Sequence, residues 1–191
     1  MPQARAPRAD AIRNRAKVLD AAREQITLHG PEIGMDEIAA AAGVAVGTIY
    51  RNFPTKTDLV AAVVGEYTAR VAADAEAALE RASQGARAAH QIADFLGRVV
   101  EASATDHAIK TAARTLGADH GDKAAETRAT TALGQLIRTA QSDGDIHPDI
   151  TVDDIYLLFS TAPTDQPAAT RGRWLALVLR ALATHDITEA E

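Results

Sequence analysis

The 191-residue chain has no cysteine, which excludes disulfides, thiolate metal sites and a cysteine nucleophile. Its net charge of −6 is unevenly spread. Residues 1–23 carry Arg5, Arg8, Arg13, Arg15, Lys17 and Arg23 against Asp10 and Asp20, a net +4, whereas residues 61–191 carry 12 basic and 19 acidic residues, a net −7. A basic head on an acidic body suggests nucleic-acid contact at one end. Hydrophobic residues make up 47% of the chain and aromatics only 4%. Alanine, the best helix former, is abundant, and no segment alternates in the manner of a half-buried strand, so the expected class is all-α with about nine helices. No stretch approaches the roughly 18 apolar residues of a membrane span, and no apolar run follows the first residues as in a signal peptide; a cytoplasmic protein is expected.

Residues 1–9, with two prolines and two arginines, read as a flexible basic arm. Ile12, Ala16, Leu19, Ala22 or Arg23, and Ile26 then mark one face of a helix that His29-Gly30-Pro31 ends. Gly34 to Ala42 reads as a short helix with Met35, Ile38, Ala39 and Ala42 inward, broken at Gly43. A third runs from about Ala45 to Tyr50 or Arg51, stopped by Phe53-Pro54. Thr55-Lys56-Thr57-Asp58 has capping-box spacing ahead of a long helix over about 57–82. Further helices are marked by Ile92 to Val100, Ile109 to Leu116 (closed by Gly117), Ala129 to Ala140 (closed by Asp143-Gly144), Ile155 to Phe159 after a Thr151 cap, and Ala168 to Thr184. These boundaries divide the chain into an arm at 1–9, a segment at 10–56 that holds the two short helices, and a longer helical segment at 57–191.

Residues 34–53 carry the chemistry. Two short helices meeting across Gly43 form a helix-turn-helix, in which the glycine supplies a left-handed backbone without Cβ strain and small Ala39 allows close approach. In such a motif the second helix enters the major groove. Val46 offers an apolar contact to a thymine methyl, Gly47 a close backbone approach to phosphate, and Thr48 and Tyr50 hydroxyls for phosphate or base edges. Arg51, Lys56 and, on the first helix, Arg13 supply charge for phosphates. Few of these groups give bidentate base recognition, so phosphate contacts and DNA shape are expected to carry much of the binding.

The run Ile38-Ala39-x-x-Ala42-Gly43-Val44-x-x-Gly47-Thr48-x-Tyr50-x-x-Phe53-x-x-Lys56-x-x-Leu59 resembles the signature of TetR-family regulators over about residues 10–65. The resemblance implies a homodimer on a palindromic operator, usually a repressor, released by a small-molecule effector in the C-terminal domain. It also implies DNA contact at Thr48, Tyr50 and Lys56, with Gly47 beside them. Two positions depart from the pattern: Gly34 stands where a threonine usually caps the second helix, and Ala45 where a serine often caps the recognition helix.

Outside the motif the residues say less. Tyr67, Phe95, Val99, Ile109, Leu116 and Leu133 either line an effector pocket or fill the core. Ile155, Phe159, Trp174, Leu177, Val178 and Leu182 make broad apolar faces on the last two helices, which suggests a dimer bundle. His90, His107, His120, His147 and His185 lack partners at metal-ligand spacing, and Gly144 and Pro148 spoil a calcium-loop reading of the acidic run at 143–154. No metal or cofactor is expected. The chain has no Gly-x-Ser-x-Gly elbow, phosphate loop or His-Glu-x-x-His, so an enzyme is not expected either. The rival reading is a helical small-molecule-binding or scaffolding protein with a vestigial helix-turn-helix.

Overall fold

The structure is a computed structural model that describes residues 6–118 and 122–184. These residues form nine α-helices: α1 (Ala6–His29), α2 (Met35–Ala41), α3 (Val46–Asn52), α4 (Lys56–Ser83), α5 (Ala88–Thr105), α6 (His107–Leu116), α7 (Lys123–Ser142), α8 (Val152–Ser160) and α9 (Ala168–Leu182). The one β feature among them is an isolated antiparallel bridge between Ile146 and Ala183. The all-α class and the helix count agree with expectation. Residues 1–5 of the expected arm, His120 and His185 lie outside the described residues.

Helix α1 begins at Ala6, inside the stretch expected to be a flexible arm. Pro7 falls in its first turn, where a missing N–H costs no hydrogen bond, and the alanines and arginines that follow favour helix. The inward stripe also starts later than its spacing suggests. Val18, Leu19, Ala22 and Ile26 are buried, but Ile12 is 69% exposed and Ala16 is exposed. The beginning of α1 therefore runs ahead of the core.

The chain divides into two compact units. The first comprises Met1–Tyr67 and Asp106–Gly121. Its core joins Leu19 and Ile26 of α1, Ile38 and Ala39 of α2, Ile49 of α3 and Phe53 to Leu59, Val60 and Val63 of α4 and to Ile109 and Ala112 of α6. The unit is accordingly larger than the expected 10–56 domain: three small helices cannot cover their own apolar faces, and the start of α4 and all of α6 complete the cover. A charged cluster ties these helices together. The Arg23 guanidinium on α1 lies 3.8 Å from the Glu66 carboxylate on α4 and 3.2 Å from that of Asp106, which is almost fully buried just ahead of α6. Nε and Nη2 of Arg23 are buried beside these charges, so the attraction acts with little screening by water.

The second unit comprises Thr68–Thr105 and Asp122–Glu191. Helix α5 packs on α7 and α9, and α7 on α8. Ile92, Phe95 and Leu96 meet Leu133, Leu136 and Ile137, with Ile155, Val178 and Leu182 in the same core. Arg87, between α4 and α5, donates two hydrogen bonds of 3.0 and 2.7 Å to Asp145, a carboxylate only 3% exposed in the turn after α7. Helix α8 starts on a full capping box: Asp154 N–H donates to Thr151 Oγ1 at 3.3 Å, and Thr151 N–H donates to the Asp154 carboxylate at 2.8 Å. No helix among the described residues is long and apolar enough to cross a membrane.

The Thr151 hydroxyl and N–H bond the charged form of Asp154 and hold its pKa below the ordinary aspartate value; the Arg171 guanidinium does the same for Glu101. A carboxylate with a depressed folded-state pKa stabilises the fold above its unfolded value, about 4, and loses that contribution as pH falls through the folded value. Thermal unfolding between pH 7 and 2 is therefore expected to show Tm falling below pH 4, with a shallower fall in Asp154→Asn; an unchanged profile would refute the assignment.

Candidate nucleic-acid interface

The end of α2 sets the geometry of the motif. Gly43 has φ +65°, the left-handed conformation expected of it. Val44 N–H donates to the Ala39 carbonyl at 3.0 Å and Gly43 N–H to the Ala40 carbonyl at 3.1 Å. This pair of bonds is a Schellman motif: it closes α2, satisfies two helix-end carbonyls and turns the chain into α3. Half-buried Val44 then packs on the core. At the front of α2, the Glu37 carboxylate accepts the Gly34 N–H at 2.8 Å. Glycine has no side chain to return the bond, so only half of a capping box forms. Ala45 likewise gives α3 no side-chain cap.

Of the seven residues in α3, only Ile49 is buried. With Phe53 just beyond the helix, it fixes the inward direction. At 100° per residue the opposite ridge is Gly47 and Arg51, flanked by Val46 and Tyr50 on one side and Thr48 and Asn52 on the other. Val46 is 43% and Tyr50 46% exposed, Thr48 is half-buried, and Gly47, Arg51 and Asn52 are exposed. Two polar side chains are steadied by their own helix: Arg51 Nε donates to the Gly47 carbonyl at 3.1 Å and Asn52 Nδ2 to the Thr48 carbonyl at 2.8 Å. Asn52 was not among the residues singled out by sequence; its spacing of four from Thr48 was the available signal.

Lys56 is half-buried and its ammonium donates to the carbonyls of Pro31 and Ile33. It thus ties the start of α4 to the α1–α2 loop with two of its three donors. The expected Thr55–Asp58 box is present: Thr55 N–H donates to the Asp58 carboxylate at 3.0 Å and Asp58 N–H to Thr55 Oγ1 at 3.1 Å. Arg13 is exposed and paired with Asp10 one turn earlier. Arg15 stacks over the Phe53 ring at 5.2 Å, which places a cationic turn of α1 at the end of α3.

The residues offered as a pocket fall partly in the first unit and partly in the second. Ile109 is buried in the core of the first unit, with Leu116 packed against it. Half-buried Tyr67 belongs to the same unit, and the Lys110 ammonium sits 4.4 Å from its ring centroid. Phe95 and Leu133 are buried in the core of the second unit, with Val99 packed against it. Phe95, Ile109 and Leu133 are thus buried in the cores of their own units. The second unit also bears a cleft of about 260 Å³ between α4 and α7, lined by Glu76, Leu79, Thr127, Arg128, Thr131 and Ala132, none of which sequence had indicated.

The residues offered as a dimer surface divide similarly. Ile155, Val178 and Leu182 are buried inside their own unit, and Phe159 packs edge-on to Trp174 with centroids 5.9 Å apart. Leu177 is 50% exposed, joined by Leu157 at 66% and Tyr156 at 47%, two residues that sequence did not select. Helices this short carry apolar residues on two sides, and periodicity does not say which side faces home.

An all-α chain with a closed helix-turn-helix and an unshielded outer face on its second helix is, by class, a helix-turn-helix DNA-binding protein. Comparison with known proteins makes that specific. Residues 18–63 match the model for bacterial regulatory proteins of the tetR family, and residues 87–184 match the C-terminal domain of SbtR-like transcriptional regulators. A TetR transcription regulatory protein from Mycobacterium vanbaalenii is 31% identical, with 93% of this chain and 99% of that chain covered and a TM-score of 0.70. A TetR regulator from Streptomyces coelicolor is 28% identical, covering 88% and 98%, with a TM-score of 0.66. An HTH-type transcriptional regulator of Mycobacterium tuberculosis is 40% identical over 57 residues, which is 30% of this chain and only 24% of that protein's length. The chain belongs to the TetR family of DNA-binding transcriptional regulators.

A Cβ added at Gly47 would meet nothing within 4 Å. Gly47→Ala is therefore expected to leave Tm unchanged or to raise it slightly, since alanine favours helix by up to about 1 kcal/mol. A lowered Tm in calorimetry would show that the protein itself occupies that space.

Proposed function

We propose that this regulator binds a palindromic operator as a homodimer, represses transcription in the cytoplasm, and is released by a small-molecule effector bound in its second unit. The observation that carries the DNA-binding part is the outer face of α3, whose ridge at Gly47 and Arg51 is not covered by the unit that holds Ile49. The effector, the dimer and repression rest on family membership. The activity so described is binding rather than catalysis.

Residue roles follow from the geometry. Gly47 lets the backbone approach a phosphate, and Arg51 and the third donor of Lys56 supply charge. Tyr50 and Thr48 offer hydroxyls to phosphate or base edges, and Val46 an apolar contact to a thymine methyl. Asn52 adds the bidentate group that sequence had not provided, an amide able to pair with an adenine edge. Two copies of α3 would stand about 34–36 Å apart to meet successive major grooves, and an effector would act by favouring a dimer with another spacing. Exposed Leu157 and Leu177, with Tyr156, support pairing through α8 and α9. The scaffolding alternative has only uncapped Ala45 in its favour, and the family match does not favour it.

Anisotropy titration of a duplex selected from a random pool tests the reading. Binding is expected to exceed random duplex by at least about a thousandfold. Tyr50→Ala and Gly47→Ala should each weaken it tenfold or more without lowering Tm, and Asn52→Ala should relax preference at one base pair. No preference over random duplex would overturn the reading. For the dimer, Leu157→Glu with Leu177→Glu should shift sedimentation from dimer to monomer, and an unshifted dimer would remove these residues from the interface.

A further inference from the structure

The loop between α1 and α2 decides how α2 enters the first unit, and its own bonds hold it lightly. Gly30 N–H closes the end of α1 on the Ile26 carbonyl at 2.9 Å, and Ile33 N–H reaches the Gly30 carbonyl only at 3.5 Å. Gly34 follows and brings no hydroxyl to the first turn of α2. The Glu37 carboxylate accepts the Gly34 N–H, but no side chain accepts the Glu37 N–H in return. A seven-residue helix with half a cap has little of its own to hold its start in place.

Lys56 holds that start from outside the helix. Its ammonium donates to the carbonyls of Pro31 and Ile33, 25 and 23 positions away in the chain. Two carbonyls that converge on one atom suit the compact ammonium, whose three donors spread from a single nitrogen. Lys56 is half-buried, unlike exposed Arg13 and Arg51. The turn from which it reaches is itself fixed, by the Thr55–Asp58 box and by buried Leu59 and Val60. The bridge therefore runs from a braced helix start to a lightly held one. The placing of α2 carries on to α3, since Ile38 and Ile49 share a core and the Schellman closure at Gly43 joins the two helices directly.

We infer that Lys56 is a positioning residue for base reading: it stands in for the hydroxyl cap that Gly34 lacks and so sets the aim of α3. This rests on the operator-binding reading above. It gives Lys56 a task that a phosphate contact from its third donor does not perform. Loss of a phosphate contact weakens operator and random duplex alike, because such contacts carry no sequence information. Loss of folded protein does the same, because both affinities scale with the competent fraction. A misplaced α3, by contrast, lowers the ratio between them.

Lys56→Arg tests this in the full chain, since it keeps the charge and replaces the point donor with a planar fork. Circular dichroism melting confirms folding, and anisotropy titration from about 50 to 200 mM salt compares the selected operator with random duplex. The slope of log affinity against log salt stays the same, and the operator-to-random ratio falls about tenfold, the discrimination of one lost base contact. Lys56→Met keeps the stem and removes every donor; it lowers the ratio likewise and the slope by about 0.9 at most. Adding Gly34→Ser to Lys56→Met restores most of the ratio and leaves the slope low, because serine accepts the Glu37 N–H. The extended backbone at Gly34 admits a serine, and the added Cβ meets only the flexible end of Glu37, at 3.1 Å. An unchanged ratio in Lys56→Arg would overturn the inference, as would a ratio that Gly34→Ser fails to restore. Hydrogen exchange reads the same hold without DNA: α2 and α3 amides exchange faster in Lys56→Met and slower again with Gly34→Ser, and equal protection in all three proteins would also overturn it. If the unaltered protein prefers no duplex, the operator reading fails by itself, and hydrogen exchange still decides the role of Lys56.

Discussion

The whole outer face of α3 depends on the burial of one side chain. A seven-residue helix is too short to persist alone, and Ala45 gives it no side-chain cap. It is held by Ile49, fully buried among Leu19, Ile26 and Ile38, by Phe53 directly after it, and by the Schellman closure of α2 before it. Because these holds all act from one side, the other residues of α3 stay free of the core. The arrangement suits recognition: side chains placed on a packed element keep their geometry, while the face they present carries no structural duty.

Around that hold, charge is used to brace rather than to recognise. Arg23 draws Glu66 and Asp106 toward α1, next to the residues at which the chain leaves and re-enters the first unit. Lys56 ties the start of α4 to the loop after α1 through two carbonyls. Arg87 and Asp145 do comparable work in the second unit. Arg13, Lys17 and Arg51, by contrast, are exposed and brace no second helix. A net charge of −6 is compatible with DNA binding, since residues 1–23 alone carry a net +4.

The second unit shows a different division of labour. Its core is completed by Ile155, Val178 and Leu182, and the residues beside them in sequence, Leu157 and Leu177, face outward. Each of α8 and α9 thus carries apolar residues on two sides, one packed in the core of the unit and one exposed.

Much of this was legible in the sequence because it is local. Alanine content dictated helices, Gly43 dictated a left-handed turn between α2 and α3, and Thr55-Lys56-Thr57-Asp58 dictated the start of α4, because each rests on backbone preference or a bond spanning three or four residues. The spacing of Gly47, Thr48 and Tyr50 marked the face of α3 for the same reason. What sequence could not decide were choices between two chemically acceptable surroundings. Ile12 and Leu19 fit one helical stripe, yet only Leu19 has a core beside it. Ile155 and Leu157 are both apolar, yet one is inside and one outside. Lys56 is a cation in either account, and only the approach of the Pro31 and Ile33 carbonyls shows that its charge is partly committed. Burial depends on residues far apart in the chain, and that information exists only once the helices have packed.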